Sequence, residues 1–198
     1  MAFPTTGILD NFNRANEDPL ANSTWTKITG AQNLKIVSNI CQGSPFSQLS
    51  GAYWSATTFG PDSEAYVTVL VIPGGASYVR LYARLTSPGG PQNSYFMQFS
   101  NDSNGCRIFI ESGGTPTAIA QDAAARYVAN DVLGFEVIGS TLTVYKNGAS
   151  VLSTTDATFS AAGFIGLGAR QSTAQLDDFG GGTVVPAAAA FVPKVLVF

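Results

Sequence analysis

The chain has 198 residues, enough for one domain with a substantial core. Charged residues make up only 12% of it, against a usual value of about 25%, while the hydrophobic fraction is 45% and the formal net charge is −3. With no basic run, that balance argues against a nucleic-acid partner. The absence of histidine excludes Ser-His-Asp and Cys-His catalysis and any histidine-bearing zinc site.

In chain order, Gly7 to Phe12 alternates Ile8, Asp10 and Phe12 against Leu9 and Asn11, which predicts a half-buried strand. Asn13 to Ser23 is loop. Asn33 to Gly43 reads as two short strands about Ser38-Asn39, and Ser50 to Ala56 as another carrying Tyr53 and Trp54. Glu64 to Ile72 is almost continuously apolar, which predicts a central strand covered on both faces. Pro73 to Ala76 is a turn. Ser77 to Thr86 alternates, with Val79, Leu81, Ala83 and Leu85 on one face and Tyr78, Arg80, Tyr82 and Arg84 on the other. Ser94 to Ser100 and Cys106 to Glu111 form a hairpin across Asn101–Gly105. Residues 112–130 are less regular, and the alanines around Ala123 suit a single helical turn.

The clearest stretch is Asp131 to Phe179. Asn147-Gly148 is a strong two-residue turn signal, because such a turn needs positive φ at both positions. It pairs Val144 with Val151. Gly139-Ser140 makes a second turn, pairing Val137 with Leu142 and Phe135 with Val144. Both registers put Leu133, Phe135, Val137, Leu142, Val144 and Val151 on one side of a three-strand meander. Gly163 to Arg170 reads as a further strand, and Gln175 to Phe179 closes the unit. Many short strands between turn signals predict an all-β chain with two antiparallel sheets packed as a β-sandwich.

This meander, followed by GFIGLGAR and LDDF, resembles the C-terminal half of concanavalin A-like lectin/glucanase jelly rolls, the laminin G-like and pentraxin-like branch in particular. The opening ILDNFNRAN, with Leu20 and Trp25, is similar to the first strand of the same group. The resemblance spans roughly residues 7 to 183 and implies a jelly-roll sandwich whose first and last strands are neighbours, with DNF beside DDF. It implies little about function, since the fold hosts lectins, hydrolases and structural modules.

Hydrolases of that group carry closely spaced carboxylates on one strand, and a retaining mechanism needs a pair about 5–5.5 Å apart. Here the acids are scattered: Glu111 and Glu136 each stand alone, and adjacent Asp177-Asp178 would point to opposite faces. The expectation is therefore a protein that is not an enzyme. Asn101, Asp102, Ser103 and Asn104 offer oxygen ligands to a hard cation, but their composition is that of an ordinary turn, so neither metal nor cofactor is expected. Cys41 and Cys106 are read as free, buried thiols.

Tyr78, Arg80, Tyr82 and Arg84 are the candidate binding face. Three readings stay open: a solvated outer face with Glu136 paired to an arginine, a protein–protein contact, and a glycan site. The composition breaks after Thr183, so residues 1–183 are read as the jelly-roll domain and 184–198 as an extended C-terminal arm. Phe191, Val192, Val195, Leu196, Val197 and Phe198 would be an aggregation hazard in water, so the arm is expected to dock on its own sandwich or on a neighbouring subunit.

MAFPTTGILDN lacks the features of a secretory signal, and no run approaches a membrane-spanning helix, so neither a membrane nor a cleaved leader is expected. Together these features favour a non-enzymatic decoration or attachment protein of a phage virion, capsid or tail. It would be made in the host cytoplasm and would contact itself and other virion proteins. The alternative is an extracellular glycan-binding module or degenerate glycoside hydrolase relative, with a host-surface glycan as partner. The arm reading predicts that a chain ending at Gly182 elutes as a monomer on size-exclusion while the full chain assembles. Identical elution of the two would end it.

Overall fold

The computed structural model describes residues 3–20, 24–43, 48–71, 77–171 and 174–185. Its strands are β1 (Ile8–Asp10), β2 (Trp25–Lys27), β3 (Lys35–Val37), β4 (Ile40–Gln42), β5 (Leu49–Trp54), β6 (Ser63–Val71), β7 (Tyr78–Thr86) and β8 (Asn93–Ser100). They continue with β9 (Cys106–Ser112), β10 (Thr115–Asp122), β11 (Asp131–Ile138), β12 (Thr141–Lys146), β13 (Ala149–Thr155), β14 (Phe164–Arg170) and β15 (Gln175–Thr183). No helix forms among the described residues.

The strands make two antiparallel sheets. One has eight strands in the order β13-β12-β11-β6-β15-β4-β3, with β1 also paired to β15; the other has seven, β10-β9-β8-β7-β14-β5-β2. Inward side chains from both sheets, among them Val67, Val69, Leu133, Phe135 and Val144 from the first and Val79, Leu81, Met97, Ile108 and Leu167 from the second, are wholly buried in one core. This is the two-sheet jelly-roll sandwich that the strand pattern and the resemblance imply.

The first and last strands are neighbours, with Asp10 opposite Phe179. Asp10 gathers the opening of the chain: Oδ1 accepts the Phe12 amide and Arg14 Nη1, both at 2.7 Å, and Oδ2 accepts Trp25 Nε1 at 2.7 Å. The indole then packs against Trp54 and Phe179, at centroid distances of 5.5 and 4.9 Å. A bulge between Ile8 and Asp10 breaks the expected alternation, so Ile8 is exposed although Asp10 and Phe12 are buried.

β6 is central and covered on both faces, as its apolar run predicts. Ala65, Val67 and Val69 face the core, and the N-terminal segment lies across the outer side. Glu64 Oε1 accepts the amides of Thr5 and Thr6 and the Thr6 hydroxyl at 2.7, 2.6 and 2.6 Å. Phe3 stacks on Tyr145 at 4.1 Å and rests on Gly134, where an added Cβ would lie 2.1 Å from the ring.

The meander registers hold at Gly139, with Val137 opposite Leu142 and Phe135 opposite Val144. Asn147 and Gly148 have φ of 51° and 79°, as the turn requires. A bulge between Val144 and Tyr145 shifts the third strand, so Val144 faces Leu152 rather than Val151. On an edge strand whose Val151 and Leu152 both lean on the core, that slip meets little opposition. The next strand, β14, does not extend the meander but crosses to the seven-stranded sheet between β7 and β5.

Residues 112–130 contain a strand and no helical turn. Gly113 and Gly114, with φ of 57° and 78°, turn the chain so that β10 pairs along β9. Its exposed, polar, Pro-containing sequence is that of an edge strand. Cys41 and Cys106 are free and buried; burial raises both thiols, that of Cys106 to about 12. The Pro73–Ala76 turn and the arm residues Phe191 to Phe198 lie outside the described residues.

Because Asp10 alone serves three donors, Asp10→Ala should destabilise the protein by about 3 kcal/mol, as charged hydrogen bonds are lost and a buried indole N–H is orphaned. Chemical denaturation of the two chains measures it. A loss under about 1 kcal/mol would mean that water replaces the carboxylate.

Candidate functional site

The outer face of the seven-stranded sheet is built in rows. Strand pairing sets Tyr82, Phe96 and Phe109 side by side on β7, β8 and β9, with ring centroids 5.3 and 4.7 Å apart. The next row is Arg80, Gln98 and Arg107. Gln98 Oε1 accepts Arg80 Nε and Nη2 at 3.0 and 2.9 Å, fixing the plane of that guanidinium. The Arg80 cation lies 4.4 Å from the Phe96 ring and 4.9 Å from Tyr78, and Arg107 lies 5.0 Å from Phe109. From β14, Arg170 approaches Tyr78 at 5.7 Å. Among the described residues, aromatic faces thus carry the Arg80 and Arg107 cations in place of carboxylates.

Beside the arginine row the strands carry glycines that neighbouring side chains cover. Gly166 and Gly168 of β14 stand opposite Tyr82 and Arg80, and Gly51 of β5 stands opposite Gly168. A Cβ at Gly168 would sit 3.0 Å from Leu49 Cδ1 and 3.3 Å from Arg80 Cβ. The small residues in this lane let Leu49 pack down beside Arg80.

Two clefts open there. The larger, of about 520 Å³, is lined by Ile28, Leu49, Arg80, Gln92, Glu111 and the Gly113-Gly114 turn. The smaller, of about 320 Å³, is lined by Tyr78, Arg80, Gln98, Asp102, Arg107 and Arg170. Arg80 belongs to both. The clefts follow β8 from one end to the other, and its eight residues at about 3.3 Å each give a length of roughly 26 Å.

Each cleft has one carboxylate. Burial pushes the pKa of Glu111 up, opposed by the Ser94 hydroxyl, which donates to it at 3.1 Å, and by the charge of Arg80. Arg80 itself is pulled down by burial, but Tyr82 and Tyr78 more than offset that and hold it above its ordinary value. Asp102 Oδ1 and Oδ2 accept the amide and side-chain nitrogen of Asn104 at 2.8 and 3.0 Å. Asn101 in turn bonds the Tyr127 backbone. Asp102 therefore braces the turn, and Asn101 ties it to Tyr127. Glu111 pairs with Ser94 and Asp102 lies beyond Ser100, so the two acids are roughly 20 Å apart along the strands. That exceeds the separation of about 10 Å or less that a glycosidase pair uses.

Of the four residues expected on this face, Tyr78, Arg80 and Tyr82 are there, although Tyr82 is buried as floor rather than exposed. Arg84 is not. β7 carries one extra residue between Ala83 and Thr86, and Arg84 has φ 49°. The bulge turns Leu85 outward, against Tyr82 and Phe96, and sends Arg84 inward. There Arg84 donates to the carbonyls of Pro61, Phe159 and Gly139 at 2.7, 2.5 and 2.7 Å, with Asp62 at 3.7 Å. Among the described residues Glu136 pairs with no arginine; it lies on the other sheet and accepts Tyr145 Oη at 3.1 Å. Gln98, Arg107 and Glu111 join the face unanticipated, yet Arg107, Phe109 and Glu111 alternate with Ile108 and Ile110 as plainly as β7 does.

No family model matches the chain, and no curated protein matches it in sequence. Solved structures do share the fold. A carbohydrate-binding module, CBM66 from Bacillus subtilis, superposes with a TM-score of 0.60 at 21% identity over 79% of this chain and 91% of that one. A Bacillus licheniformis beta-glucanase gives 0.55 at 14% identity over 91% and 100%. The exoplasmic/lumenal domain of VIP36, in a Ca2+/Man-bound form, gives 0.61 at 12% over 85% and 86%. With these structures the chain shares the two-sheet antiparallel jelly-roll architecture.

Arg84 and Arg80 should behave oppositely on mutation. Arg84→Ala strips three carbonyls of their donor and should cost about 3 kcal/mol, or roughly 6–12 °C in melting temperature for a chain of this size. Arg84→Lys should recover little, since an ammonium cannot reproduce the guanidinium fork. Arg80→Ala should cost less than Arg84→Ala; equal losses in thermal melts would contradict the different placements.

Proposed function

We propose that the protein is a non-catalytic carbohydrate-binding module that holds an oligosaccharide along the outer face of the seven-stranded sheet. One observation carries this: two clefts share Arg80 and lie along β8 on the outer face, over the aromatic floor of Tyr82, Phe96 and Phe109. Sugars present flat C–H faces and vicinal hydroxyls, and Tyr78 and Leu49 supply apolar contact for the former. Arg80, Gln92 and Glu111 supply donors and acceptors for the latter.

The wide separation of Glu111 and Asp102 supports binding without hydrolysis. Two similar structures point the same way by their names, a carbohydrate-binding module and a mannose-bound lumenal domain. The beta-glucanase shows that the same architecture also carries hydrolysis, so the argument rests on the carboxylates and not on the fold. The virion-component reading has less behind it: its arm lies outside the described residues, and nothing on this face favours a protein contact over a sugar.

A glycan array probed with the full chain tests the proposal. Binding to at least one oligosaccharide is expected, with no reducing ends released. Arg80→Ala should weaken it about tenfold or more, because a central arginine truncation commonly costs over about 1 kcal/mol. Tyr145→Phe, on the opposite sheet, should leave it unchanged. A silent array, or binding indifferent to Arg80→Ala, would sink the proposal.

A further inference from the structure

The smaller cleft has a charge that the rest of the molecule does not prepare for. The chain is net −3, yet three of its six arginines, Arg80, Arg107 and Arg170, line this one cleft. Arg14 is paired with Asp10 and Glu17, and Arg84 with Asp62. Among the described residues, neither Arg80 nor Arg107 has a carboxylate within 4.0 Å. Asp102, the one acid lining the cleft, is held by Asn104.

Partly buried cations without carboxylates are costly unless something compensates. Arg80 has Gln98 and two ring faces. Arg107 has the Phe109 ring, and its Nε is buried with no hydrogen-bond partner among the described residues. Gln98 stands between them in the same row, so Arg80 and Arg107 are two strand spacings apart, roughly 10 Å at the backbone. Their long side chains can close on one oxyanion or address two neighbouring ones. A planar guanidinium fork favours carboxylate and sulfate oxygens over hydroxyls, since both partners then carry charge.

We propose that this cleft selects anionic saccharides, chains whose units carry a carboxylate or a sulfate, with Arg107 and Arg80 binding the oxyanion and Arg170 adding to the field. This rests on the carbohydrate-binding reading and narrows it to a substrate class. The larger cleft, with its single carboxylate, would hold the neutral part of the same chain.

Calorimetry of the full chain with three hexasaccharides tests the idea: cellohexaose as the neutral ligand, hexagalacturonate as the carboxylate, and a carrageenan hexasaccharide as the sulfate. At least one anionic ligand should bind tenfold or more tighter than cellohexaose, and the advantage should shrink in 0.5 M NaCl. Arg107→Gln should remove most of it without lowering the melting temperature appreciably. Should that variant fold poorly, Arg170→Gln and the salt dependence test the same selectivity. Preference for the uronate that fades as its carboxyls protonate identifies carboxylate as the source; a pH-independent preference for carrageenan identifies sulfate. Equal or tighter binding of cellohexaose overturns the anionic selectivity while leaving carbohydrate binding intact. No binding of any of the three, together with a silent array, removes both. Undiminished anionic binding in a folded Arg107→Gln chain also overturns the proposal.

Discussion

The guanidinium of Arg84 is the constraint on which the site's geometry depends. It reaches from β7, central in the seven-stranded sheet, to three carbonyls in separate segments. Pro61 leads into β6, Gly139 turns β11 into β12, and Phe159 lies on the link from β13 to β14. One side chain thus joins the rims of both sheets. Burial lowers its pKa, with Tyr95 and Asp62 opposing, and the three carbonyls provide the solvation that water would otherwise give. The bulge that delivers Arg84 inward also turns Leu85 outward, and Leu85 then completes the apolar floor with Tyr82, Phe96 and Phe109. A structural clamp and the floor of the candidate site come from the same extra residue.

Much of the fold was legible because its signals are local. Asn147-Gly148 and the Gly139 turn set two strands in register, and the apolar run of β6 announced cover on both sides. What covers the outer side, Phe3 and Thr5–Thr6, was not legible, since no local pattern says that a segment will fold back 58 residues onto Glu64. Bulges account for the other misses. Each inserts one residue and reverses alternation beyond it, and Ile8, Val151 and Arg84 each fall beside one. β10 was missed for a different reason: it is a largely exposed edge strand, and a bulge between Ala118 and Ala120 breaks its alternation where Ile119 and Ala120 meet the core.

The candidate site was half legible for related reasons. Tyr78, Arg80 and Tyr82 precede the bulge, so their shared face survives. Gln98, Arg107 and Glu111 share that face only because β8 and β9 pair in a particular register, which is a tertiary fact. The small-residue lane beside them is likewise a product of pairing, as Gly168 of β14 meets Gly51 of β5. Binding surfaces on sheets are assembled across strands, whereas sequence periodicity runs along them.

The central claim is that the outer face around Arg80 is a saccharide site. Arginine Nε–H resonances report it directly, because Arg80, Arg107 and Arg170 bear on the proposed ligand while Arg14, Arg84 and Arg126 are elsewhere. Titrating the full chain with the tightest-binding hexasaccharide should shift the first three signals together, with one dissociation constant, and leave the other three in place. Shifts confined to Arg14, Arg84 or Arg126, with Arg80 and Arg107 unmoved, would contradict the account.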